Sequence, residues 1–207
     1  MNNLSVLTET EIDKFRDMLN NGLPRSATSL SGIMEADVAL SVSHICMVEK
    51  GDISKVIDSQ VKGILGNSIV EQFFLGKITG TSILMLPESE GKNLCLLFCP
   101  TSDETIGTDE YAALYRETIL EIGNILIGAC VGMIAELLGK HVSFHPPHYV
   151  NGTVDRLLID EHMKNSGKCA LIFKMNFLFA INNIQGSMFI ITSNETINWM
   201  KNAIDET

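Results

Sequence analysis

Ile12, Phe15, Met18 and Leu19 recur at helical spacing behind Thr8 and Glu11, whose three-residue separation is that of a capping box. A helix is predicted there, and Asn20-Asn21-Gly22-Leu23-Pro24 is expected to interrupt it, because Gly and Pro are poor in helix interiors. Ser26 to Met34 then reads as a short resumption. A second helix is predicted from near Thr108, with Asp109 and Glu110 in its first turn, as far as Leu138, where Gly139 is a natural stop. Strand-like runs follow each helix. In the first half these are Val38 to Met47, then Ile69 to Phe74 and Thr79 to Leu86 as a hairpin around Gly76-Lys77. In the second half they are Val142 to Val150, Ala170 to Phe179 and Gly186 to Thr192, and Glu90 to Phe98 and Glu195 to Ile204 close the two halves as short helices.

The order of elements repeats. Sliding the chain by 104 residues lays Asp13, Asp17, Asn20 and Val38 onto Glu117, Glu121, Asn124 and Val142, and a slide of 106 lays Ile78 and Gly80 onto Ile184 and Gly186. The expected fold is α+β: a single domain spanning 1–207, built from two pseudo-repeats of about 1–104 and 105–207, its long helices packed on an antiparallel sheet. Each half alone is small for a good core, so the two are expected to share one.

Composition narrows the functional classes. The 207 residues are 45% apolar and 19% charged, ordinary globular usage, with a net charge of −10. The acidic excess is spread over both halves, so no basic stripe exists to neutralise phosphates, and neither nucleic acid nor an anionic membrane surface is an expected partner. The N-terminus lacks the basic and apolar regions of a signal peptide. Met175 to Asn194 is uncharged and nominally long enough to span a bilayer, but Asn176, Asn182, Asn183, Gln185 and Gly186 make it a strand, a turn and a strand. Five cysteines, an odd number set among apolar neighbours, suit buried thiols in a reducing cytoplasm.

The informative residues lie on the second helix. Glu117, Glu121 and Asn124 fall at spacings of four and three, hence on one face, while Ile119, Leu120, Ile122, Ile125, Leu126 and Ile127 cover most of the circumference. A helix apolar nearly all round is buried, so this narrow stripe either faces water or has partners. It continues through Gly128, Gly132 and Ala135, small residues that let another surface come close. A solvated ridge and a functional stripe both fit the pattern. The stripe has no Ser or Cys beside a His, and the phosphate-binding loop, the paired-Cys zinc pattern and His-Glu-x-x-His are missing. A self-contained hydrolase site is hard to assemble from this chain; a carboxylate and an amide could instead complete a site that a partner supplies. His141, His145 and His148 cluster around Pro146-Pro147 without a Cys or acidic residue, an incomplete set for zinc, so no metal is expected. Cys95 and Cys99 read as core, and Asn151-Gly152-Thr153 as a turn.

Glu121-Ile-Gly-Asn124 with Gly128, followed after 22 residues by Pro147, resembles the signature of the CheC/CheX/FliY chemotaxis phosphatases: Asp or Ser, three residues, Glu, two residues, Asn, 22 residues, Pro. Glu117 departs from the first position. The Ala27-Thr28-Ser29-Leu30-Ser31 run, the Gly76 to Pro87 hairpin and the hairpin at Gly186 carry the resemblance, closest to CheC-like proteins, over nearly the whole chain. It implies a cytoplasmic hydrolase in two-component chemotaxis signalling, acting on the aspartyl phosphate of a CheY-type response regulator. No cofactor of its own is implied, since the divalent metal sits on the regulator. Asn124 would position water, Glu121 would reach a lysine of the regulator, and Glu117 and Pro147 would serve partner binding. The resemblance further implies a second, pseudo-symmetric site at Asp13, Asp17 and Asn20, expected to be degenerate because Asp17 is short, Ser43 stands where Pro147 should recur and Pro24 falls where Gly128 should. Relatives that bind a phosphorylated regulator without hydrolysing it make an adaptor the alternative, and a CheD-type deamidase is a further implied partner. A bare scaffold would not require Glu121, Asn124 and Pro147 to keep their spacing, which ranks phosphatase above adaptor.

Overall fold

In a computed structural model of the protein, which describes residues 7–61, 67–98, 108–152 and 169–205, the capping box forms as expected. The Glu11 amide donates to Thr8 Oγ1 at 3.2 Å and the Thr8 amide donates to Glu11 Oε2 at 2.7 Å. The Thr8 amide and the Thr8 hydroxyl, both donating to Glu11 Oε2, hold the Glu11 carboxyl below its usual range. The helix so started, α1 (Glu9–Met34), does not break at Pro24. Leu19, Leu23, Leu30 and Met34 are buried along one side of it, and the Pro24 ring lies on the exposed side. Burial of that apolar stripe outweighs the cost of one missing amide, about 3 kcal/mol for an interior proline.

The first strand, β1 (Val38–Glu49), is followed by a 3₁₀ turn and by a helix that the sequence reading missed, α2 (Ile53–Gln60). Next come β2 (Asn67–Gly76), β3 (Gly80–Pro87) and α3 (Glu88–Phe98), then the long α4 (Thr108–Leu137). Val142 to Val150 is not one strand. Pro146 and Pro147 split it into β4 (Val142–Phe144) and β5 (His148–Gly152), both antiparallel to β2. Asn151 and Gly152 end β5 and form no turn; Thr153 and Cys99 lie outside the described residues. The chain closes with β6 (Cys169–Phe179), β7 (Ile184–Ser193) and α5 (Thr196–Asp205). The expected strand, turn and strand over Met175 to Asn194 is therefore present.

The described strands form one antiparallel sheet in the order β1-β6-β7-β3-β2, with β4 and β5 sharing the outer edge of β2. Exchanging the two halves of the chain reverses this order onto itself, and local detail repeats with it. Gly80 sits opposite Phe74 and Gly186 opposite Phe177, each glycine lying directly under its partner's ring. The edge strands also correspond: β1 slips register between Val42 and His44, and the β4–β5 edge slips across Pro146-Pro147. The slip explains why buried Val42 and Ile45 stand three residues apart in an alternating strand.

Helices α1, α3, α4 and α5 cover one face, over a core that includes Phe15, Phe74, Phe173 and Phe179. On the other face α2 adds Ile53 and Ile57 to a smaller cluster with Ile69, Ile83, Ile172 and Phe189. Although α4 is long and apolar enough to cross a membrane, over half of its most apolar stretch is buried in this core. Its end is a Schellman turn: Gly139 has φ +63°, and the Lys140 amide donates to Ala135 O at 2.8 Å. Lys140 Nζ then sits 3.6 Å over the Trp199 ring of α5.

At the opposite end of α4 the protein's three tyrosines meet. Tyr115 OH lies 2.6 Å from Ser68 Oγ, which also reaches Tyr149 OH at 3.2 Å, and Tyr111 stacks on Tyr115. Burial pushes the Tyr115 phenol from the ordinary 10 up to about 12. Below the ordinary value folded and unfolded chains both hold the proton. As pH climbs through this window the unfolded chain ionises first, so stability is lost on the way to about 12. The urea midpoint of wild type is expected to fall between about pH 9 and about pH 11 by more than that of Tyr115→Phe. Equal falls would mean that another group controls alkaline stability.

Candidate functional site

The site is built where α4 crosses β2. A Cβ on Gly123 would lie 2.8 Å from both methyls of Val70, so the helix backbone comes close to the sheet within the Glu121-Ile-Gly-Asn124 run itself. That approach brings the next residue, Asn124, over Gln72, which shares the helix-side face of β2 with Val70 and Phe74. Gln72 Nε2 donates to Asn124 Oδ1 at 2.8 Å and to the His145 carbonyl at 2.9 Å. One buried side chain, 2% exposed, thus joins the α4 stripe to the Pro146-Pro147 break in the edge strand.

Glu117 and Glu121 are exposed on α4, on the same wall as half-buried Asn124. This wall borders a depression between α1 and α4. Glu117 and Glu121 line one stretch with Leu97 and Phe98, Asn124 lines the next with Gly128 and Gly132, and Ile33, 65% exposed, adjoins both. Among the described residues nothing lies within 4 Å of a Cβ built on Gly128 or Gly132, so the groove is open to an approaching surface there. Ala135, read with them as part of the open stripe, is buried instead. Pro147 is half-buried in the edge break.

The pseudo-symmetric copy on α1 differs in one decisive respect. Asn20 Oδ1 accepts from the Val42 amide at 2.9 Å and Asn20 Nδ2 donates to the Val42 carbonyl at 3.5 Å. Both ends of that amide are closed on the edge strand. Position 146, which the 104-residue slide lays under Val42, is a proline and has no N–H to offer Asn124. Among the described residues Asn124 Nδ2 has no partner, and Oδ1 has one bond and a second lone pair. Asp13 is drawn into an ion pair with Arg16, and Ser43 donates to the Lys174 carbonyl at 3.2 Å. The expected break in α1 is not what separates the two copies; the closed amide of Asn20 is.

Sequence reading missed Gln72. The available signal was a polar residue in phase with Val70 and Phe74, at a position where strand alternation calls for an apolar one. The described residues contain no group of three or more His, Cys, Asp or Glu placed to hold a metal. Cys95 and Cys130 are buried, and desolvation pushes the Cys130 thiol up to about 12, so it is no nucleophile.

No family model matches the chain. Its architecture is that of the CheC/CheX/FliY-type chemotaxis proteins. It is similar to FliY of Thermotoga maritima, at 18% identity and a TM-score of 0.68, over 97% of this chain and 98% of that one. The FliM middle domain from H. pylori is similar at 9% identity and a TM-score of 0.54, covering 97% of this chain and 100% of that one. The chemotaxis protein CheX from Desulfovibrio desulfuricans aligns at 9% identity and a TM-score of 0.51, over 85% of this chain and 99% of that one.

The packing at Gly123 generates a paired expectation. Gly123→Ala forces the helix off Val70 and is expected to cost about 1–3 kcal/mol in urea denaturation. Gly128→Ala, into open space, is expected to be neutral or to stabilise by up to about 1 kcal/mol through helix propensity. A neutral Gly123→Ala would mean that α4 is not seated on β2 as described.

Proposed function

We propose that the protein accelerates hydrolysis of the aspartyl phosphate of a CheY-type response regulator, at a site completed between α4 and the regulator. The observation that carries this reading is the half-open amide of Asn124, set beside Glu121 on an accessible wall while its counterpart Asn20 is closed. An acyl phosphate is already reactive. Water adds at phosphorus, the bond from phosphorus to the aspartyl oxygen breaks, and the carboxylate leaves; the water's proton is released with the inorganic phosphate. What speeds this step is placement of the water in line, with the regulator's own divalent cation holding the departing charge.

Asn124 suits that placement. The free lone pair of Oδ1 accepts from the water, Nδ2 donates to a phosphoryl oxygen, and the amide stays uncharged throughout. It is a positioner and not a general base. Glu121, one turn earlier on the same wall, reaches a lysine at the regulator's active site through a charge-assisted contact and sets the register of docking. Glu117 extends the acidic surface and Pro147 keeps the edge break rigid. The protein brings no cofactor of its own to this step. The fold it shares with the FliM middle domain supports a second reading, an adaptor that binds the regulator without chemistry.

Turnover of a phosphorylated CheY-type regulator decides between them. Asn124→Ala is expected to remove the acceleration, about a hundred-fold or more, while binding persists. Glu121→Ala is expected to raise the regulator concentration needed for half-maximal rate, and Asn20→Ala to leave turnover unchanged. Loss of half or more of the turnover in Asn20→Ala would contradict the assignment of one site to α4. Tight binding without acceleration by wild type would establish the adaptor.

A further inference from the structure

The buried amide of Gln72 is placed where an apolar side chain would serve the fold better. Among the described residues its Oε1 has no hydrogen-bond partner although the residue is 2% exposed, so the position carries a desolvation cost. The other half of the molecule supplies the comparison. Gln72 faces Ser82 two residues before the Phe74–Gly80 pair, and Met175 faces Met188 two residues before the Phe177–Gly186 pair. Methionine therefore occupies the equivalent place, buried and without a polar demand. In that half Asn20 needs no side-chain support because Val42 binds both ends of its amide.

We infer that Gln72 is a positioning residue for Asn124, fixing the orientation of that amide so that donor and acceptor cannot exchange places. An amide whose oxygen were not engaged could turn over, exchanging donor and acceptor. The 2.8 Å bond from Gln72 Nε2 ends that freedom by engaging one lone pair of Oδ1 and leaving the other for the water, and the second bond, to the His145 carbonyl, holds Gln72 itself. Nδ2 is thereby left as the outward donor, and the edge strand cannot capture Oδ1 because Pro146 has no N–H. The inference deepens the phosphatase reading and rests on it for its kinetic consequence. The arrangement of the two amides can be measured independently of that reading.

The test is Gln72→Met, a side chain of similar length that the equivalent position already accommodates. With a phosphorylated regulator, kcat is expected to fall about ten- to a hundred-fold while KM stays within about two-fold, since docking through Glu121 is untouched. Introduced into Asn124→Ala, the same change is expected to do nothing further. In parallel, the side-chain amide resonances of Asn124 are followed in the full chain by nitrogen-15 NMR. They are expected to shift in Gln72→Met and its Nδ2 protons to average by faster rotation, with the thermal midpoint unchanged or raised. An unchanged kcat, or Asn124 resonances that do not move, overturns the positioning role. If wild type shows no acceleration at all, the phosphatase reading fails on its own, and the Asn124 resonances still decide whether Gln72 holds the amide.

Discussion

The seating of α4 on β2 at Gly123 and Val70 is the contact on which the site depends. A helix packed on a sheet ordinarily stands off by the thickness of its side chains. Here a glycine removes that thickness at one turn, and the following residue is lowered until a strand side chain can reach it. Asn124 is then half-buried rather than free in the groove, so its amide can be held in one orientation before any partner arrives. Preorganisation of this kind is worth most where the chemistry asks only for placement, as the hydrolysis of a reactive acyl phosphate does.

The two halves of the chain start from the same plan and diverge at this contact. Both carry an asparagine on the long helix, an edge strand that slips register beside it, and a phenylalanine over a glycine in the neighbouring hairpin. In the first half the edge strand keeps its backbone amide and the asparagine is spent on it. In the second, proline deletes that amide, and a glutamine from the interior strand takes over the oxygen alone. Exchanging a hydrogen-bonding valine for a proline and a core methionine for a glutamine thus separates a structural asparagine from one with an outward donor. The long continuous α1 follows the same logic: its first-half role is packing, and its buried leucines carry it through Pro24.

Much of this was legible in the sequence because it rests on local rules. The Thr8 capping box, the Gly139 stop, the alternating strands and the Glu117–Glu121–Asn124 face follow from spacing alone. What escaped was decided between elements distant in sequence. Pro24 reads as a breaker until the buried face formed by Leu19, Leu23 and Leu30 is counted against it. Val142 to Val150 reads as one strand because both pieces of it pair with the same partner, β2. Helix α2 is short, and its two buried isoleucines find their partners on the far face of the sheet. Gln72 stands 52 residues from Asn124, and only the topology brings them together.

On the proposed function, the outward donor of Asn124 is the point of contact with an activated regulator. It is tested most directly by adding a CheY-type regulator carrying beryllofluoride and magnesium, a stable mimic of the aspartyl phosphate, to the nitrogen-15-labelled protein. The Asn124 side-chain amide resonances are expected to move strongly, together with backbone signals of Glu117 and Glu121, while those of Asn20 stay in place. Strong shifts centred on Asn20 and α1, with Asn124 unmoved, would contradict it.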